Sequence, residues 1–119
     1  MTTRLVLVIE PEDGLGLLSD RVLRLDGWSV YRVSTFKAAL HQLFQRDFDL
    51  VTCEYSPEAG LDEAAVAHLH TLAHGRPFLV TSTNTDGARV ARSLRTTFLR
   101  QPVSTLNLDV ALGAALAAA

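Results

Sequence analysis

The sequence predicts an α/β fold: a doubly wound, five-stranded parallel sheet with strand order 2-1-3-4-5, flanked by five helices. Three observations lead to this prediction. Short aliphatic runs alternate with segments of helical periodicity, the first run is apolar on both faces, and the loops between them are short. Alternating strands and helices joined by right-handed crossovers favour such a sheet. The length of 119 residues suits a single domain over residues 1–119.

Five segments have the character of buried strands. Residues 4–9 (RLVLVI) form an aliphatic run, which is typical of a strand covered by helices on both sides. The second segment, 28–33, is rich in β-branched and aromatic residues. The remaining strands are predicted at 48–53, 77–81 and 97–100.

Five helices are predicted between and after these strands. The first has leucine and valine at spacings of three and four, at Leu15, Leu18, Val22 and Leu25, and ends at Gly27. Ser34 or Thr35 caps the second and Asp62 caps the third, because short polar side chains accept hydrogen bonds from first-turn amides. The third helix ends near His74, and the fourth covers 86–94. The fifth helix begins at Thr105, and Gly113 within it lowers its helical propensity. The predicted buried residues of the second and third helices are Phe36, Ala39, Leu40, Leu43, Phe44, Ala65, Leu69 and Leu72.

The composition excludes several classes of protein. It is 48% hydrophobic and 20% charged, which is typical of a globular chain. The net charge of −2 gives no electrostatic footprint for nucleic acid or an anionic membrane. The single cysteine, Cys53, excludes an internal disulfide and agrees with a reducing compartment. No apolar stretch approaches the ~20 residues of a membrane span, so we expect a soluble, cytoplasmic protein.

The chemistry is expected at the carboxyl edge of the sheet, beside strands one and three, where the strand order reverses. Glu10, Glu12 and Asp13 follow strand one, and Glu54 follows strand three. Ser82 follows strand four, and Gln101 follows strand five. These positions predict a cleft containing at least two carboxylates, a hydroxyl and an amide.

Four blocks of sequence look like those of bacterial response-regulator receiver domains. They are 5–10 (LVLVIE), 48–54 (FDLVTCE), 77–82 (PFLVTS) and 98–103 (FLRQPV), in the right order and at roughly the right separations. The resemblance covers nearly the whole chain and implies a CheY-like, flavodoxin-like fold with a role in two-component signal transduction. In that family an acid pair after strand one holds Mg²⁺ and an aspartate after strand three accepts a phosphoryl group. A Ser or Thr after strand four and a Lys-Pro pair after strand five complete the site.

The resemblance also implies that the phosphorylation site is degenerate. The acid pair becomes Glu10 and Pro11, which removes one metal carboxylate, and the phospho-acceptor becomes Glu54, which is one methylene longer than aspartate. A displacement of ~1.5 Å exceeds the ~1 Å misplacement that can cost about 10²-fold in rate.

The remaining family positions divide into retained and lost parts. Ser82 and Phe98 keep the switch positions and Pro102 keeps the proline, whereas Gln101 replaces the lysine and removes its cation. We therefore expect an atypical receiver (a pseudo-receiver) that has no enzymatic activity, requires no cofactor and acts by binding proteins without being phosphorylated.

Two other interpretations of the cleft stay open. Glu54 either imitates the charge of a phospho-aspartate or fills the space in a frozen scaffold, and its single negative charge favours the scaffold. A Mg²⁺ site or residual phosphorelay activity, with Glu10, Glu54, Glu12 or Asp13 as oxygen ligands, is the alternative function. A solvated acidic rim explains the same residues more simply.

Further signals are weaker. Gly14-Leu15-Gly16 resembles a dinucleotide loop, but Ser19 replaces the third glycine, so a nucleotide-binding domain is a remote alternative. His70 and His74 have the spacing of a metal pair, but neither an HExxH motif nor a cysteine partner accompanies His68, His70 and His74.

The family commonly binds partners through the face made by its fourth helix, fifth strand and fifth helix. Here this face draws on Ala88, Arg89, Arg92, Arg95 and Phe98. Its positive charge predicts an acidic protein partner, with a homodimer as the alternative. The sequence identifies neither the partner nor an output domain.

Overall fold

The computed structural model describes residues 4–11, 27–101 and 104–117. The strands are β1 (Leu5–Ile9), β2 (Ser29–Val33), β3 (Leu50–Glu54), β4 (Phe78–Ser82) and β5 (Thr97–Arg100). The described α-helices are α1 (Phe36–Gln45), α2 (Glu63–Leu72), α3 (Asp86–Ser93) and α4 (Thr105–Ala117), with a short 3₁₀ helix over Pro57–Ala59. They correspond to the second to fifth predicted helices, and the predicted first helix lies outside the described residues.

All five strands are parallel and are arranged in the order β2-β1-β3-β4-β5, as predicted. Ile9 lies opposite Cys53 in the β1–β3 pair, and Glu54 lies opposite Thr81 in the β3–β4 pair. Since parallel strands end at the same edge, this register brings Glu10 and Glu54 to neighbouring positions at the carboxyl edge.

The hydrophobic core forms two layers, one on each face of the sheet. Leu7, Ile9, Val51, Cys53 and Val80 face one side and pack with buried residues of α1, α2 and α3. The alternate positions of the same strands face the other side, where they pack against buried residues of α4. This period of two follows from the alternation of side chains along a strand. None of the helices in the described part of the chain is long and apolar enough to cross a membrane.

The predicted helix caps are confirmed. The Thr35 side chain accepts a hydrogen bond from the Ala38 amide at 3.1 Å, and the Asp62 side chain accepts one from the Ala65 amide at 2.9 Å. Each cap satisfies one of the backbone donors that the first turn leaves free.

Some of the buried faces were predicted wrongly. Phe44 is 76% exposed, because it lies in the last turn of α1 and, at ~100° per residue, roughly 110° from the centre of the face that Phe36, Ala39 and Leu43 define. In α2 the buried residues are Val66 and Leu69, whereas Ala65 and Leu72 are half-buried. The helix also ends at Leu72, two residues before the predicted His74.

Three strand boundaries shift in ways that matter for the cleft. β3 begins at Leu50 and includes Glu54, and β4 begins at Phe78 and includes Ser82. Glu54 and Ser82 are therefore held by the hydrogen-bonding ladder of the sheet, and neither lies in a loop. β2 begins at Ser29, one residue later than predicted, with Trp28 buried beside it.

Candidate functional site

The acid that follows β1 is buried and forms an ion pair inside the fold. Glu10 is 2% exposed, and its Oε1 accepts a hydrogen bond from Nε of Arg32 at 2.8 Å. A second nitrogen of Arg32 donates to the carbonyl oxygen of Pro11 at 3.3 Å. The backbone amide of Glu10 also donates to the Val33 carbonyl at 3.0 Å, which holds the Glu10 backbone against the end of β2. A guanidinium therefore stands beside the one acidic side chain of the Glu10-Pro11 pair.

Sequence reasoning missed Arg32. Its only local signal is that it is the one charged residue of the strand, between Tyr31 and Val33. In the β1–β2 register Arg32 lies opposite Val8, so its side chain shares a sheet face with Val8 and with the strand end that carries Glu10. That pairing register, which the residue pattern of β2 alone does not reveal, makes the ion pair.

Glu54 ends β3 at the same edge and is half-buried. The structure therefore brings Glu10 and Glu54 to adjacent strand ends, as predicted. Glu12 and Asp13, the other two acids of the predicted pocket, lie outside the described residues, as does the Gly14-Leu15-Gly16 segment.

Ser82 connects the loops that follow β3 and β4. Its side chain is buried, its Oγ donates to the carbonyl oxygen of Tyr55 at 3.0 Å, and it accepts from the Asn84 amide at 3.0 Å. The Tyr55 amide donates in turn to the Thr81 carbonyl at 2.8 Å. The hydroxyl at the family's switch position is thus engaged with backbone groups next to Glu54.

The lysine-equivalent position is buried and uncharged. Gln101 is 6% exposed, and its backbone N–H donates to the Ser82 carbonyl at 2.9 Å. Pro102 lies outside the described residues. The fifth strand therefore brings an amide to the edge of the sheet, as predicted.

Gly87 allows α3 to pack closely against both switch positions. A Cβ at Gly87 would lie 2.7 Å from Cβ of Ser82 and 2.8 Å from Cε1 of Phe98. Phe98 is half-buried and packs against the core cluster on that face. Sequence reasoning missed Gly87, although a glycine in the first turn of the helix after Ser82 was a usable signal.

A chain of polar contacts links the residue after Glu54 to two helices. The hydroxyl of Tyr55 donates to Asp86 at 3.2 Å, and Asp86 accepts two hydrogen bonds from Arg89 at 2.8 and 2.9 Å. Arg89 also pairs with Glu63 of α2 at 2.8 Å. The hydrogen bonds from Arg89 lower the pKa of Asp86, whereas desolvation and the bond to Asp86 raise the pKa of Tyr55. Arg89, expected on a cationic partner face, therefore has its charge matched by two carboxylates.

The described residues of the cleft include few groups that could bind a divalent metal. Within residues 4–11, 27–101 and 104–117, no three acids, histidines or cysteines are grouped so that they could hold a metal ion. Pro11 supplies no carboxylate, and Glu10 is already bound to Arg32. His70 instead packs edge-on against the ring of Phe78, where burial lowers its pKa.

Cys53 offers no reactive thiol. It is completely buried in the core, and desolvation raises the pKa of its thiol, so the thiolate that would react is disfavoured.

A shallow apolar groove lies beside β5. It has a volume of about 480 Å³ and runs between β5 and α4. Leu106 and Val110, one turn apart on α4, line it and are 72% and 67% exposed. Arg100 lines the groove, and none of the described residues in its lining is acidic.

Comparison with known proteins shows similarity in structure only. No protein-family model and no curated protein sequence matches the chain. A putative response regulator from Chloroflexus aurantiacus is 20% identical, with a TM-score of 0.82 over 98% of this chain and 99% of that one. A CheY-like receiver domain protein from Methanospirillum hungatei is 13% identical, with a TM-score of 0.80 over 98% of this chain and 95% of that one.

A third solved structure carries the modification expected of the family. It is a response regulator from Burkholderia pseudomallei with a phosphorylated aspartic acid, a calcium ion and citrate. It is 21% identical, with a TM-score of 0.75 over 92% of this chain and 66% of that one. The chain therefore has the fold of a CheY-like response-regulator receiver domain.

Proposed function

We propose that this chain is a receiver-type domain of cytoplasmic signal transduction that works as a protein-interaction module without being phosphorylated. The observation that carries this proposal is the contact between Glu10 and Arg32, in which the buried Glu10 carboxylate pairs with the guanidinium of a partly exposed arginine of β2. Arg32 supplies a positive charge beside Glu10 from within the chain, which supports a site that works without a metal ion.

The remaining parts of the site support the same conclusion. Phosphoryl transfer depends on positioning and on cations that balance the developing negative charge. Glu54 displaces the attacking oxygen by about one C–C bond relative to aspartate, and Gln101 supplies no charge. The Burkholderia pseudomallei structure contains an aspartate that carries the phosphoryl group, together with a metal ion.

Contacts between the cleft and the surface also support this proposal. Ser82 Oγ is bonded to the Tyr55 carbonyl, and Tyr55 is linked to α3 through Asp86. Gly87 sets α3 directly against Ser82 and Phe98. We infer that these contacts hold α3 and β5 in one arrangement, which a partner recognises without a chemical signal.

The partner surface proposed here is the groove between β5 and α4. Its exposed Leu106 and Val110 would bury apolar area against a partner, and Arg100 at its side favours acidic neighbours in that partner. We therefore expect a monomer that binds a different protein. Light scattering tests this, since a dimer that dissociates on Leu106→Ser would show that a second copy occupies the groove.

The central experiment is phosphoryl labelling. The unmodified protein is incubated with acetyl phosphate and Mg²⁺, and its intact mass is measured beside that of a Glu54→Asp, Gln101→Lys variant. We expect no adduct on the unmodified protein. A stable adduct on the unmodified protein that is absent from Glu54→Gln would overturn the proposal. An adduct on the double variant alone would show that Glu54 and Gln101 together prevent phosphorylation.

A further inference from the structure

A cavity lies at the amino edge of the sheet, at the opposite end from the acidic cleft. It has a volume of about 230 Å³ and lies between the carboxyl ends of α2 and α3, beneath β4 and β5. Arg76 and Arg95 enter it from the two loops that precede those strands. Among the described residues that line it there is no aspartate and no glutamate.

The two arginines are exposed and carry uncompensated charge. Neither forms an ion pair with another described residue, whereas Arg32 and Arg89 are both paired with carboxylates. The carboxyl end of each helix contributes roughly half a negative charge, so two ends oppose about one of the two positive charges. The cavity therefore keeps a net positive field.

The backbone at Arg95 is the second observation. Arg95 has a φ of 56°, in the left-handed region, and directly follows the carboxyl end of α3. The Thr96 amide donates to the Ala91 carbonyl at 2.9 Å, as in a helix-ending turn that usually carries glycine at this position. An arginine here costs backbone energy that glycine would not, and such outliers cluster at functional positions.

The cavity also has an apolar floor. Pro77, Phe78, Leu94 and Ala115 line it together with the two arginines. Its volume is below the ~300–1,000 Å³ of sites for drug-sized ligands, so only a compact ligand fits. The Thr96 hydroxyl is not available to such a ligand because it donates to the Phe78 carbonyl.

We propose that this cavity is a binding site for a small organic anion, whose phosphate or carboxylate group is held by Arg76 and Arg95. The guanidinium fork matches both groups through paired hydrogen bonds. The floor contacts the apolar body of the ligand. The site is independent of the proposed signalling role, since it shares no residue with the acidic cleft.

The experiment is a titration followed by backbone amide NMR shifts. Phenyl phosphate, benzoate and inorganic phosphate are compared, with sodium chloride at matched ionic strength. We expect saturable shifts around residues 76–78 and 94–97 with the two organic anions, and weaker binding of inorganic phosphate. Linear shifts that sodium chloride reproduces would overturn the proposal. If inorganic phosphate bound as tightly as phenyl phosphate, the proposal that the ligand is an organic anion would be refuted.

The variants separate binding from folding. Arg95→Gly removes the charge and relieves the left-handed backbone, so its Tm should be no lower than that of the unmodified protein while the affinity for phenyl phosphate falls about tenfold or more. Arg76→Gln should weaken binding similarly. Arg92→Gln is the matched control, an exposed arginine that does not line the cavity, and should bind as before. Unchanged affinity in the Arg76→Gln, Arg95→Gly double variant would refute the site.

Discussion

Replacing Arg32 by methionine is the most direct test of how the acidic edge is held together. Methionine keeps much of the apolar stem but removes the guanidinium that pairs with Glu10 at 2.8 Å. Breaking a fully buried pair costs ~3–5 kcal/mol, and an exposed pair contributes ~1 kcal/mol or less. Because Glu10 is 2% exposed and Arg32 is 34% exposed, we expect an intermediate loss, about 2 kcal/mol.

The loss should be visible in thermal and urea unfolding. For a chain of this length, 2 kcal/mol corresponds to a decrease in Tm of about 8 °C. The fluorescence of Trp28, the only tryptophan and a buried one, reports unfolding. Arg92→Met is the matched control and should change the free energy of unfolding by less than ~0.5 kcal/mol. Equal effects of Arg32→Met and Arg92→Met would refute the interpretation of the ion pair.

Two extensions connect this variant to function. In a double-mutant cycle with Glu10→Gln, the second change should recover part of the stability, because the pair then has no unbalanced charge. Arg32→Met also removes the positive charge of Arg32 from beside the Glu10 carboxylate. A saturable response to Mg²⁺ in this variant, and none in the unmodified protein, would support replacement of the metal by arginine. A saturable Mg²⁺ response in the unmodified protein would contradict it.

Three further predictions follow from described contacts. Gly87→Ala should lower the free energy of unfolding by about 1–3 kcal/mol, because the added Cβ overpacks against Ser82 and Phe98. Gly113→Ala should raise it by ~0.5–1 kcal/mol, because Gly113 lies in the exposed interior of α4 with nothing near its added Cβ. Equal urea midpoints for the two variants would contradict this. Arg89 lowers the pKa of Asp86, so their contact stabilises the fold above the ordinary aspartate pKa of about 4 and is lost as pH falls through the lowered value. Asp86→Asn should therefore be less stable than the unmodified protein near neutral pH but converge with it in acid, and a constant difference would count against the contact. Thr52→Val should stabilise the protein by about 1 kcal/mol in urea, because the buried Thr52 hydroxyl has no hydrogen-bond partner among the described residues, and a loss of stability would show that the hydroxyl is satisfied.

The sequence alone determined the sheet and the residues at its edge. Strands such as LVLVI are recognisable because burial on both faces requires a continuous apolar run, which is local information. The caps Thr35 and Asp62 act within three residues of themselves and were equally predictable. Parallel strands end at one edge of the sheet, so the sequence placed Glu10, Glu54 and Gln101 together without information on their side-chain contacts.

The tertiary structure decided which of these residues touch. Arg32 reaches Glu10 across 22 positions of sequence because β1 and β2 pair in one register. Arg89 was expected on an open cationic face, but the packing of α3 beside α2 brings it to Glu63. Such contacts depend on strand register and helix orientation, which the pattern within a single element does not encode. The carboxyl-edge cleft was therefore predictable as a set of positions, whereas the internal cation beside Glu10 was decided by the pairing of β2 with β1.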